Sequence, residues 1–218
     1  MAENFWGGRR TPKNIQKAVG RGIETARRRY ERWSGDEDLW WAPESTIVNC
    51  VADSISRLST RQHPLYLTLE QGIGGLHPNR RGKPPRNASR QGRYDITLWW
   101  GYKADVETSA RVVVEIKNGR SMIAGDVWQK DILRIIGAVS GASSIRMGVF
   151  AYYWSDKTRA NVENRLTNRK EDIEKLAGPL CSPRIRLSVN CSRIREGLDE
   201  MHRVWWAAQT VCVVRDVA

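Results

Sequence analysis

Phenylalanine is nearly missing from this chain: two Phe stand against ten Trp and six Tyr. Aromatics that carry both an apolar body and a polar tip suit interfaces and nucleic-acid surfaces as well as cores. The four cysteines, Cys50, Cys181, Cys191 and Cys212, show no CxxC spacing. A chain of 218 residues builds a core without covalent staples, so reduced thiols are expected. A zinc site on Cys181, Cys191 and His202 is not expected. Histidine is scarce: His63 and His77 precede Pro64 and Pro78 in loops, and His202 stands alone near Trp205. That excludes a His-rich nuclease centre, and the absence of GxxxxGK[ST] excludes a nucleotide-driven motor of the P-loop kind. No run approaches the ~18 apolar residues of a membrane span. The first ten residues lack the apolar stretch of a secretory signal, so a soluble, cytoplasmic protein is expected.

Acidic residues are also in short supply. Twenty-four Asp and Glu face 36 Lys and Arg, a formal charge of +12. A field of that sign attracts polyanions, and nucleic acid is the first partner to consider. The basic residues are clustered. Residues 1 to 33 hold Arg9, Arg10, Lys13, Lys17, Arg21, Arg27, Arg28, Arg29 and Arg32 against three acids, with a helix expected from Lys13 to Trp33. Residues 1 to 42 therefore read as a basic N-terminal helical arm, useful on phosphates, or else as a solvated helix face. The stretch from Gly72 to Gly92 is rich in Gly, Pro and Asn and holds Arg80, Arg81, Lys83, Arg86 and Arg90 without one acid. With Arg93 these are the candidate nucleic-acid contacts.

Residues 43 to 218 read as a single domain. Ile47, Val48, Val51, Ile55 and Leu58 recur at helical spacing after Pro43, predicting helix A over 43–60. Strands are predicted at 65–69, 93–100 and 110–117, the last two as a hairpin. Helix B follows over 123–140, an apolar strand over 145–153, a charged helix over 156–176 and a short strand over 184–189. The run from Val204 to Val214 is readable as strand or helix.

The hairpin holds the informative residues. Alternation puts Glu115 and Lys117 on one face with Val113, and Val112, Val114 and Ile116 on the other. If the hairpin is symmetric about Asp105, paired numbers sum to 210 and Asp95 lies opposite Glu115. Carboxylates facing each other across a ladder destabilise it, and a divalent cation removes the conflict. Lys117, on the same face, could orient or deprotonate a water, or neutralise charge on a phosphate.

Asp95 within Arg93-Tyr94-Asp95-Ile96-Thr97-Leu98, followed by Glu115-Ile116-Lys117 at the end of a valine run, resembles the D-x(n)-E-x-K signature of the PD-(D/E)XK, restriction-endonuclease-like superfamily. The resemblance covers roughly residues 43 to 155. It implies an α/β fold in which a central mixed sheet is flanked by helices, with an αβββαβ core. It also implies a metal-dependent nuclease, with Mg²⁺ or Mn²⁺ held by Asp95 and Glu115, Lys117 as the catalytic lysine, and Glu44 as an additional acid near the metal. Gln129 and Lys130 stand where several members carry a polar residue after the E-x-K strand. Tyr94 replaces the family's Pro. DNA is the implied substrate, and pairing of two copies into a homodimer is a further implication by fold analogy. The competing expectation is a non-catalytic nucleic-acid-binding or interaction protein on the same scaffold.

Overall fold

The valine run before Glu115 is buried on both faces, and the molecule is built around it. The structure, a computed structural model, describes residues 6, 8–35, 37–72, 92–100, 109–123, 126–141, 144–200 and 202–216. Among them the elements run α1 (Pro12–Ser34), α2 (Glu44–Ser56), β1 (Leu65–Gly72), β2 (Arg93–Trp100), β3 (Ser109–Lys117), α3 (Gly119–Ile123), α4 (Val127–Ser140), β4 (Met147–Asp156), α5 (Arg159–Ala177), β5 (Ile185–Cys191), β6 (Arg195–Asp199) and β7 (His202–Arg215).

The fold is α/β, a mixed sheet of seven strands flanked by helices. The order is β1-β2-β3-β4-β7-β5, with β6 also on β7. β3 and β4 are parallel, and every other pairing is antiparallel. Parallel strands covered on both sides read as continuous apolar runs. Val112, Val114 and Ile116 of β3 join Val149, Ala151 and Tyr153 of β4 in the core under α1 and α2. Val113, Phe150 and Tyr152 point the other way, into the core under α4 and α5.

Most predicted elements are present with shifted ends. Helix A spans Glu44–Ser56, and Pro43 is its N-cap rather than its first helical residue. Helix B is α4, which starts at Val127, and the short helix α3 ahead of it is an addition. The run from 204 to 214 is strand, within β7. The short strand β6 went unforeseen.

Helix α1 is well capped, by the Thr11 hydroxyl accepting from Asn14 N at 3.3 Å and by Gly35 at φ 75°. It is part of the core, since Ile15, Ala18, Val19, Ile23 and Ala26 are fully buried. Its approach to α2 depends on Gly22: a Cβ there would lie 2.4 Å from Val51 Cα and 2.9 Å from Val51 N. Backbone cannot swing aside as a side-chain tip can. Gly22→Ala is therefore expected to destabilise the fold by about 1–3 kcal/mol, the range for overpacking, measured as a lower urea midpoint at unchanged slope.

The abundant tryptophans serve largely as partners for arginine. Arg169 sits 4.3 Å over Trp128, Arg10 5.0 Å over Trp100 and Arg27 5.3 Å over Trp206. Indole is the ring best suited to hold a guanidinium on its face. Among the described residues, no helix is long and apolar enough to cross a membrane.

Candidate active site

The C-terminal end of β3 is where the buried sheet becomes polar. β2 and β3 pair as Ile96↔Val114, Thr97↔Val113 and Leu98↔Val112, each summing to 210, before a bulge between Leu98 and Trp99 shifts the register. Asp105, the predicted centre of the turn, lies outside the described residues. The pairing stops at Ile96↔Val114. Instead of a backbone bond at the next step, Asp95 Oδ2 accepts from Ile116 N at 2.6 Å. The carboxylate thus replaces a ladder bond beside Glu115, and among the described residues its other oxygen accepts no hydrogen bond.

Lys117 is the hub. Its ammonium Nζ donates to Glu115 Oε1 at 3.0 Å, to Glu44 Oε1 at 3.2 Å and to the carbonyl of Ile116 at 3.2 Å. Asp131 Oδ2 is 3.6 Å away. Glu44 opens α2 and reaches in as its position one turn before Ile47 suggests. Its Oε2 lies 3.4 Å from Asn118 N and 3.4 Å from Ser121 Oγ.

The segment before Glu44 is held by a buried network. Asp38 accepts from Tyr153 Oη at 2.6 Å, Ser155 Oγ at 2.8 Å and Trp40 N at 2.8 Å. Gly119 lets the Trp40 ring pack where a Cβ would be 2.2 Å from it.

Helix α4 brings two residues that the sequence reading did not assign to the site. Arg134 Nη2 lies 2.8 Å from both Glu115 Oε2 and Asp131 Oδ1. Asp131 and Arg134 form an i,i+3 pair turned toward the sheet, with Asp131 only 6% exposed. Helical spacing carried the signal: Asp131 falls between Trp128 and Ile135, on the face that packs. Gln129 is half-buried and makes no hydrogen bond or ion pair with Glu115 or Lys117, and Lys130 is exposed. Arg93 is exposed and paired with Glu70 at 3.1 Å. Arg80, Arg81, Lys83, Arg86 and Arg90 lie outside the described residues.

The electrostatics are unbalanced. Glu44, Asp95, Glu115 and Asp131 are four carboxylates, and Lys117 and Arg134 are two cations. Burial, then repulsion from Glu115, pushes Asp95 up to about 7. The same two causes, in that order, push Asp131 up to about 6. Burial alone would lower the Lys117 ammonium, but Glu115, Glu44, Asp95 and Asp131 together raise it above its ordinary value. Glu115 Oε2 and Asp131 Oδ2 are buried, the first in a 2.8 Å ion pair with Arg134 and the second 3.6 Å from the Lys117 ammonium, beyond hydrogen-bonding reach.

With all four carboxylates ionised the cluster is short of two positive charges, which fits one divalent cation taking the place of the protons that Asp95 and Asp131 otherwise keep. Among the described residues, no three His, Cys, Asp or Glu side chains form a ready metal cage. The donor set suits an ion held by one or two carboxylates, with its remaining positions left for water and phosphate, as Mg²⁺ prefers. Set beside known proteins, the chain matches no family model, no curated protein and no solved structure.

Proposed function

We propose that the chain is a metal-dependent nuclease that hydrolyses phosphodiester bonds, of DNA in the first instance, on a core of the PD-(D/E)XK type. The observation that carries this reading is the convergence of Asp95, Glu115, Lys117 and Glu44, from β2, β3 and α2, on one polar end of an otherwise apolar sheet. The order α2, β1, β2, β3, α4, β4, with α3 inserted before α4, agrees with it.

Asp95 and Glu115 would hold the ion, with Glu44 beside them. Bound there, Mg²⁺ or Mn²⁺ supplies Lewis acidity toward a phosphoryl oxygen and an acidified water. The Lys117 ammonium has three acceptors within hydrogen-bonding distance, and the carboxylates around it hold its proton. It therefore offers no lone pair in this arrangement, and its role is to place positive charge where charge develops on the phosphate. Arg134 steadies Glu115 from the α4 side, and the Asn118 amide and Ser121 hydroxyl steady Glu44.

The test is incubation of the purified protein with labelled duplex DNA, single-stranded DNA and RNA, with EDTA, Mg²⁺ or Mn²⁺. Cleavage of DNA with either metal and none with EDTA is expected. Absence of cleavage under every condition, with nucleic acid still bound, would favour the non-catalytic alternative.

A further inference from the structure

Helix α1 carries its buried and its exposed residues on opposite sides. Ile15, Ala18, Val19, Gly22, Ile23 and Ala26 are buried, whereas Lys13, Lys17, Arg21 and Arg28 are exposed. At 3.6 residues per turn these four cations fall in one band roughly 80° wide, and from Lys13 to Arg28 the band runs about 22 Å. That is the rise of roughly six base pairs.

The band differs from an ordinary solvated helix face, in which acids and bases alternate and pair. Lys13, Lys17 and Arg21 stand at successive i,i+4 positions, where like charges oppose helix formation. The one acid among them, Glu24, is taken by Arg195 of β6. None of Lys13, Lys17, Arg21 and Arg28 forms an ion pair among the described residues.

A groove lies on each side of the band. One, of about 360 Å³, separates α1 from the β5–β7 edge and is lined by Asn190, Ser192 and the hydrogen-bonded pair Gln16 and Thr210, with Arg195 in the opposite wall. The other, of about 690 Å³, runs between α1 and α2 and is lined by Arg9, Arg28 and Arg57, the last paired with Asp53 at 3.0 Å. Arg21 and Glu24 line both.

We propose that this face of α1 is a nucleic-acid contact surface, seating backbone phosphates along the cationic ridge and in its flanking grooves, apart from the Asp95–Glu115–Lys117 cluster. Cys191 in the groove wall pairs with Gln209, Gln209 with Tyr152 and Tyr152 with Lys117. Three strand spacings, about 14 Å of sheet, therefore lie between groove and cluster. The surface rests on the choice of nucleic acid as partner and does not require hydrolysis.

The test measures binding of the wild-type chain to a labelled 24-base-pair duplex in EDTA, which keeps cleavage silent, at several salt concentrations. The comparison is a variant carrying Lys13→Ala, Lys17→Ala and Arg21→Ala. Each neutralised phosphate contributes about 0.9 to the slope of log affinity against log salt, so the triple variant is expected to lose about 2.7 of that slope. A second variant, Gly20→Glu, puts a carboxylate where an added Cβ meets nothing within 4 Å, and should weaken binding with no loss of melting temperature. Wild-type slope and affinity in both variants would overturn the proposal. So would unchanged DNA binding together with lost binding to phosphatidylserine vesicles or polyglutamate. Because the readout is binding, a protein that binds as expected but never cuts would overturn the nuclease reading alone.

Discussion

Lys117→Ala is expected to reduce cleavage by about 10²–10³-fold or more, the range for removing one preorganised charge from a transition state, while leaving duplex affinity near wild type. The ammonium touches Glu44 and Glu115, and none of the exposed cations that would hold a nucleic-acid backbone. The same substitution should cost stability. Lys117 compensates buried carboxylates, and breaking a buried ion pair from one side costs about 3–5 kcal/mol. The melting temperature should therefore drop in EDTA and recover in part with Mg²⁺, which supplies the missing charge. A folded Lys117→Ala protein that cleaves at the wild-type rate would sink the proposed site.

Asp95→Asn is expected to act in the opposite direction on stability. In the metal-free protein Asp95 holds its proton up to about 7, from an ordinary value of 3.8. Between those limits the folded state binds more protons than the unfolded chain, so its stability should decline as pH rises from about 4 to about 7. Asn cannot ionise, so the variant in EDTA should lose the part of that decline due to Asp95 and melt higher than wild type at pH 8. Asp131, pushed up to about 6, adds a contribution of the same sign that the variant keeps.

Metal should relieve the same conflict. At a hundredfold excess over Kd a ligand specific for the folded state adds about 2.7 kcal/mol. At about 2–4 °C per kcal/mol for a chain of this size, the wild-type melting temperature should rise by roughly 5–11 °C. Asp95→Asn should lose most of that rise and the cleavage with it. Thermal melts at pH 5 and 8, with and without Mg²⁺, measure all of this. If the variant keeps both the metal-induced rise and the activity, Asp95 and Glu115 do not share an ion.

Much of the site is legible in the sequence because strand alternation and helical periodicity are local. Val112 to Ile116 alternate between two cores in the structure, as their order along the strand requires, and Glu115 and Lys117 leave that alternation on one side. The spacing of Glu44 from Ile47 aims it inward before any tertiary contact is known. Pairing numbers that sum to 210 also follow from the hairpin's own symmetry, as far as the bulge between Leu98 and Trp99.

What the sequence by itself determined, then, is which residues share a face and where strand and helix alternate, since both depend on backbone geometry over a few residues. Only the tertiary structure decided which surfaces meet. The run from 204 to 214 is apolar enough for either state, and it is strand because β4 lies along one edge of it and β5 and β6 along the other. Asp131 and Arg134 enter the site because α4 lies over the β3 end, an arrangement set by the close packing of Ile132, Ile135 and Val139 into one core with Val113 and Phe150. Asp38 becomes an anchor for the same reason. Its partners Tyr153 and Ser155 are more than a hundred residues away, and only the packing of the 38–42 segment on the end of β4 brings a carboxylate within hydrogen-bonding reach of them.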